Sequence, residues 1–113
     1  MSAIDFTLST GKKRRDYIDR QHVLFDEKIQ SQLSYTETNN ASMRLLIDLD
    51  KYADTLFSER EITELLSISD YLLGKYQAEY DRMEKEIRKF ANELKVLCLE
   101  AIEQKLFIKA LGD

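Results

Sequence analysis

The sequence predicts an all-α protein: a helical hairpin or three-helix arrangement built on a long, coiled-coil-like C-terminal helix. Three observations carry that expectation. The 113-residue chain has no proline and three glycines, so it lacks the punctuation that mixed folds use at their turns. Apolar residues recur with a seven-residue period from 62 to 108. Charge fills most of the gaps between them, at 34 % of the chain against 43 % hydrophobic residues, as on solvated helix surfaces.

Taken in order, residues 1–11 read as a flexible lead ending at Ser9-Thr10-Gly11. A first helix is expected over 12–34. Ile18, His22, Phe25, Ile29 and Leu33 follow the i, i+4, i+7, i+11, i+15 spacing of one helical side. The stretch "SYTETNNAS", 34–42, is expected as a loop, because its Ser, Thr and Asn side chains compete for backbone hydrogen bonds. Asn40 or Ser42 would cap a second helix over 42–57, with Leu45, Leu46, Leu49, Tyr52, Ala53 and Leu56 as its stripe.

Ser58 and Glu61 have the spacing of a capping box and open the last helix, expected over 59–111. Heptad positions a and d fall at 66, 73, 80, 87, 94, 101, 108 and at 62, 69, 76, 83, 90, 97, 104. Only Ser69 and Gln104 interrupt the apolar or aromatic run. Unbroken, this helix would reach roughly 75 Å at 1.5 Å per residue. Gly74, with Ser67, Ser69 and Asp70 nearby, marks 67–74 as the place for a kink or break.

A second apolar stripe runs along this helix. Val96, Leu99, Ile102, Leu106, Phe107 and Leu111 widen its far end, and Leu65, Ile68 and Leu72 widen its start. A chain this short has too little material to cover both ends of so long a helix. These nine residues are therefore the expected partner-binding surface. The partner would be a second copy, as a homodimer, or a different protein.

Chemistry is sparse. His22 is the only histidine and reads as a packing residue on an apolar face. No His/Cys pair has metal-ligand spacing, so no metal site is expected. The glycines, at 11, 74 and 112, form no phosphate-cradling loop, and no cofactor is expected. Cys98, the lone cysteine, is expected buried and inert, which suits a reducing, cytoplasmic setting; export independent of a signal peptide is left open. No stretch is apolar for the roughly 18 residues that a membrane span needs.

The net charge of −4 is concentrated in 36–74, where eight acidic residues face three basic ones. The sharpest basic feature is Lys12, Lys13, Arg14 and Arg15, the residue types that meet nucleic-acid phosphates. Two functions follow. The first is a non-enzymatic interaction module, an adaptor or small chaperone holding a partner's amphipathic helix. The alternative is a small dimeric nucleic-acid-binding regulator using residues 12–15.

Overall fold

Ile4, Phe6 and Leu8 alternate with Asp5, Thr7 and Ser9, which is the period of a strand with one buried face. That alternation decides the architecture. The computed structural model describes residues 3–11, 13 and 16–112. It is a mixed α/β fold, which corrects the all-α, coiled-coil expectation.

Strand β1, Ala3–Ser9, pairs antiparallel with β2, Tyr17–Asp26. Helix α1, Glu27–Thr36, follows at once, capped by Asp26, whose side chain accepts the Lys28 N–H. A 3-10 turn at Ala41–Met43 and the four-residue α2, Arg44–Ile47, lead to β3, Thr55–Phe57. Two long helices come next, α3 at Glu59–Lys75 and α4 at Arg82–Gln104, before β4, Phe107–Leu111. The strands form one antiparallel sheet in the order β2-β1-β4-β3. The C-terminal strand thus sits beside the N-terminal one and ties the two ends of the chain together.

Each departure from the sequence reading has a local cause. The expected helix 12–34 is a strand followed by a helix. Val23 and Phe25 turn inward and His22 and Leu24 outward, a period of two. Only Ile29 and Leu33 keep the helical spacing, on α1. The expected helix 42–57 stops at Ile47. Beyond it Asp50 accepts the Tyr52 N–H at 2.8 Å, a local bond that competes with the helical ladder.

The expected helix 59–111 is three elements. Helix α3 continues through Gly74 and ends at Lys75, past the anticipated break. The chain then turns back through 76–81, where Arg88 of α4 donates to the carbonyls of Tyr76 and Ala78 at 2.9 and 3.0 Å. Lys105 adopts the left-handed conformation (φ 55°) that ends α4 and releases the chain into β4.

The heptad stripe is real, but it faces the sheet. Ile87, Phe90, Leu94, Leu97 and Ala101 of α4 lie on the inner sheet face formed by Ile4, Phe6, Leu8, Val23, Phe25, Phe57 and Ile108. Phe90 stacks on Phe25 with ring centres 4.6 Å apart, and Phe6 touches Phe25, Phe57 and Phe90. Each such pair adds about 0.5–1.5 kcal/mol beyond the area it buries. The sheet covers this stripe in place of a facing helix. The molecule measures 38 × 28 × 25 Å, well short of a 75 Å rod.

On the outer sheet face, Thr7, Ser9 and Lys109 are buried; Thr7 donates from Oγ1 to the Ile18 carbonyl of β2. Ser9 donates from Oγ to the Gly11 carbonyl, and the Lys109 ammonium donates to the Lys13 carbonyl. Among the described residues, no helix is long and apolar enough to cross a membrane.

Candidate functional site

Helix α4 is amphipathic in two directions. Its sheet side carries Ile87, Phe90, Ala91, Leu94, Leu97, Cys98 and Ala101, each at most 2 % exposed. On one flank Lys95 pairs with Asp70 of α3 at 2.8 Å. On the other, Arg20 of β2 reaches Glu100 at 3.6 Å and Gln104 at 3.2 Å. The arc between these flanks faces away from the sheet, and Val96 and Leu99 lie on it, each 48 % exposed. Ile102, at 40 %, stands on the α3 side of the same arc.

At the end of α4 this surface runs into a recess of about 450 Å³. Glu59 and Ile62 of α3 form one wall, and Ala101, Ile102, Lys105, Leu106 and Phe107 form the other. Phe107 is 37 % exposed at its mouth. Antiparallel packing of α3 on α4 makes the recess. Tyr76 meets Arg88, Asp70 meets Lys95, and Ile62 meets Ala101 and Ile102.

Four of the nine residues expected to bind a partner, Val96, Leu99, Ile102 and Phe107, are thus surface residues, three along the second half of α4 and one at the start of β4. Leu106 is partly buried against the core, and Leu111 lies on β4, half-buried. Leu65, Ile68 and Leu72 are at most 4 % exposed and belong to the core, so the start of α3 offers no second surface. Helix α3 widens its apolar stripe there because it packs on the sheet and on α4 at once.

His22 sits on β2, on the outer sheet face, with Nδ1 2.9 Å from Asp5 across the β1–β2 pair. It is not the packing residue of a helix. Lys12, Arg14 and Arg15 lie outside the described residues. Lys13 is exposed on the β1–β2 connection, where its N–H donates to Asp16 Oδ2 at 3.1 Å. Cys98 is buried in the core, and burial pushes its thiol up to about 12, so it holds no thiolate near neutral pH. Among the described residues, no group of three His, Cys, Asp or Glu side chains could hold a metal ion.

One polar cluster escaped the sequence reading. Glu37, the cap of α1, is 3 % exposed. Its Oε1 accepts from Tyr71 Oη at 2.8 Å and from Asn40 Nδ2 at 3.2 Å. Its Oε2 accepts from Tyr76 Oη at 2.7 Å and from the Lys75 ammonium. Burial alone would raise its pKa. The bonds from Lys75, Tyr76, Tyr71 and Asn40 outweigh that and hold it at about 2. Four donors fill the four lone-pair directions of a carboxylate, leaving none for substrate or metal. The cluster fastens the end of α1 to the end of α3.

Beside it, a groove of about 850 Å³ runs between residues 40–45 and α3, lined by Glu64, Ser67, Ile68 and Tyr71. Its Tyr71 hydroxyl is already committed to Glu37. No signal in "YTETNN" marks Glu37 as buried, because three of its partners lie 34–39 residues away. No family of known proteins, no curated protein and no solved structure matches this chain.

Proposed function

We propose that this protein is a non-enzymatic interaction module, an adaptor or small chaperone that takes an amphipathic helix of a partner along the outer arc of α4. The observation that carries the reading is the exposure of Val96, Leu99 and Ile102, at 40–48 %, on a helix whose other apolar side is fully buried. The three occupy i, i+3 and i+6, a stripe along one helix, continued by Leu106 and Phe107 into the recess at its end. A helix laid along such a stripe meets it with anchors of the same spacing.

Two further features support a role without catalysis. The best-built polar cluster, around Glu37, is saturated by its own donors. The one thiol is buried and held protonated. The lone cysteine also suits a reducing compartment, and on that ground we assign the protein to the cytoplasm.

The test is photocrosslinking in cells that express the protein, from a reactive side chain placed at 102 or, as a control, at the exposed Tyr35. The reading expects a protein adduct from 102 that is absent from 35. The adduct should persist in high salt, where a charge-driven contact fades, and vanish on Leu99→Asp. No adduct from 102 above the control, or one that survives Leu99→Asp, would overturn it.

A further inference from the structure

We infer that the partner on this surface is a second copy of the chain, with two α4 helices packed antiparallel about a twofold axis at Leu99; the inference rests on the reading above and names its partner.

The argument is one of register. Across a twofold axis at residue 99, positions equally far on either side of 99 face each other. Leu99 then meets Leu99 of the other copy. Val96, three places before, meets Ile102, three places after, and both are exposed and apolar. Lys95, four before, meets Glu103, four after. Each contact occurs twice, so the closed pair holds two apolar contacts of Val96 with Ile102 and two of Lys95 with Glu103.

A stripe shaped for an unrelated partner has no reason to be self-complementary about its own midpoint in both apolar character and charge. Glu103 is exposed and makes no ion pair with a described residue. Lys95 is 38 % exposed on its side chain and pairs with Asp70, so Glu103 of the other copy completes an acid–base–acid row. Antiparallel helices also set each dipole against the opposite end of the other. The basic positions Lys85 and Lys89 fall beyond the end of the facing helix, because α4 stops at Gln104. The surface of each copy that would otherwise stay wet is the surface the other covers.

Sedimentation equilibrium of the purified chain tests this, at concentrations up to about 0.5 mM. There an interface below the standard size of roughly 800 Å² per partner still closes. The expected species is a reversible dimer of twice the 13.3 kDa chain mass. Glu103→Lys places Lys against Lys twice and should weaken the dimer about tenfold, and Lys95→Glu should do the same. The double reversal should return the affinity to within about threefold of the original, the signature of a direct pair. Lys95→Glu also meets Asp70, so thermal unfolding of each variant shows that the fold is kept; Glu103→Lys is free of that complication.

A monomer at every concentration overturns the inference, as does a dimer unaffected by Leu99→Asp or a double reversal no better than the single ones. Failure here is separable from failure of the wider reading. An adduct from position 102 to a protein of another mass removes the second copy and keeps the interaction surface, whereas no adduct removes both.

Discussion

On its sheet side α4 holds Phe90, Leu94 and Leu97 at 2 % exposure or less; on its outer side Val96 and Leu99 remain at 48 %. The residue types are alike, and the helix is the same. What differs is whether the chain itself has anything to lay against them. The sheet fills the inner side with the rings of Phe6, Phe25 and Phe57 and a continuous aliphatic layer. Among the described residues, nothing fills the outer side. The inner face is therefore about folding, and the outer face contributes little to it.

The sharpest way to break this comparison is to cut a side chain on each face. Phe90→Ala removes a ring stacked on Phe25 and touching Phe6, and should cost about 3–5 kcal/mol of folding stability. Leu99→Ala, in urea unfolding at a protein concentration that keeps the chain monomeric, should change stability by less than about 0.5 kcal/mol. Equal costs on the two faces would mean that the outer arc is packed after all.

A second contrast sets this apolar surface against the polar cluster at Glu37. There the chain meets every need of a buried group internally. Glu37→Gln keeps the shape but leaves Lys75 without its anion and turns one of the two acceptor oxygens into an NH2 group that faces donors. It should cost about 1–3 kcal/mol, the penalty of leaving buried hydroxyl donors without acceptors, because the Lys75 side chain is 43 % exposed and keeps water around its charge.

The pH dependence has a definite sign. The folded carboxyl sits at about 2, below its ordinary 4.5. Its contribution is complete above pH 4.5 and declines as pH falls through the window from 4.5 to 2. Acid unfolding of Glu37→Gln should lose that part of its slope, as measured by circular dichroism at fixed urea. An unchanged acid limb would show that the cluster contributes no pH-dependent stability.

How much of this was legible in the sequence depends on the range of the interaction. Local signals held. Asn40 accepts the Ser42 N–H, and Ser58 opens α3 in its reciprocal box with Glu61, which accepts the Ser58 N–H at 3.0 Å. The buried thiol and the outer stripe of α4 were also readable, since each depends on periodicity within one helix.

The sheet was misread where two periods overlap. Phe25, Ile29 and Leu33 satisfy a helix of 3.6 residues per turn, although Phe25 belongs to a strand and the other two to α1. A heptad pattern states that a helix has an apolar side, and leaves open whether a helix or a sheet covers it. The alternation of Ile4, Phe6 and Leu8 is the sequence's clue to a sheet, and the scarcity of proline and glycine points the other way. Glu37 was illegible for the opposite reason, since its burial is decided by residues in another element.

Two glycines sharpen the same distinction between packed and open sides at smaller cost. Gly112 lies against the loop before β3, where an added Cβ would stand 2.6 Å from Ala53 backbone atoms. Backbone cannot step aside as a flexible side chain can, so Gly112→Ala should cost about 1–3 kcal/mol. Gly74 is exposed within α3, and an added Cβ there meets nothing within 4 Å. Alanine restricts the unfolded chain and suits a helix better than glycine, so Gly74→Ala should raise stability by about 0.5–1 kcal/mol. The paired measurement uses one substitution with opposite signs. Were Gly74→Ala destabilising instead, the open side of α3 would be covered by something the fold does not display, and the division of both long helices into a packed side and a free side would fail with it.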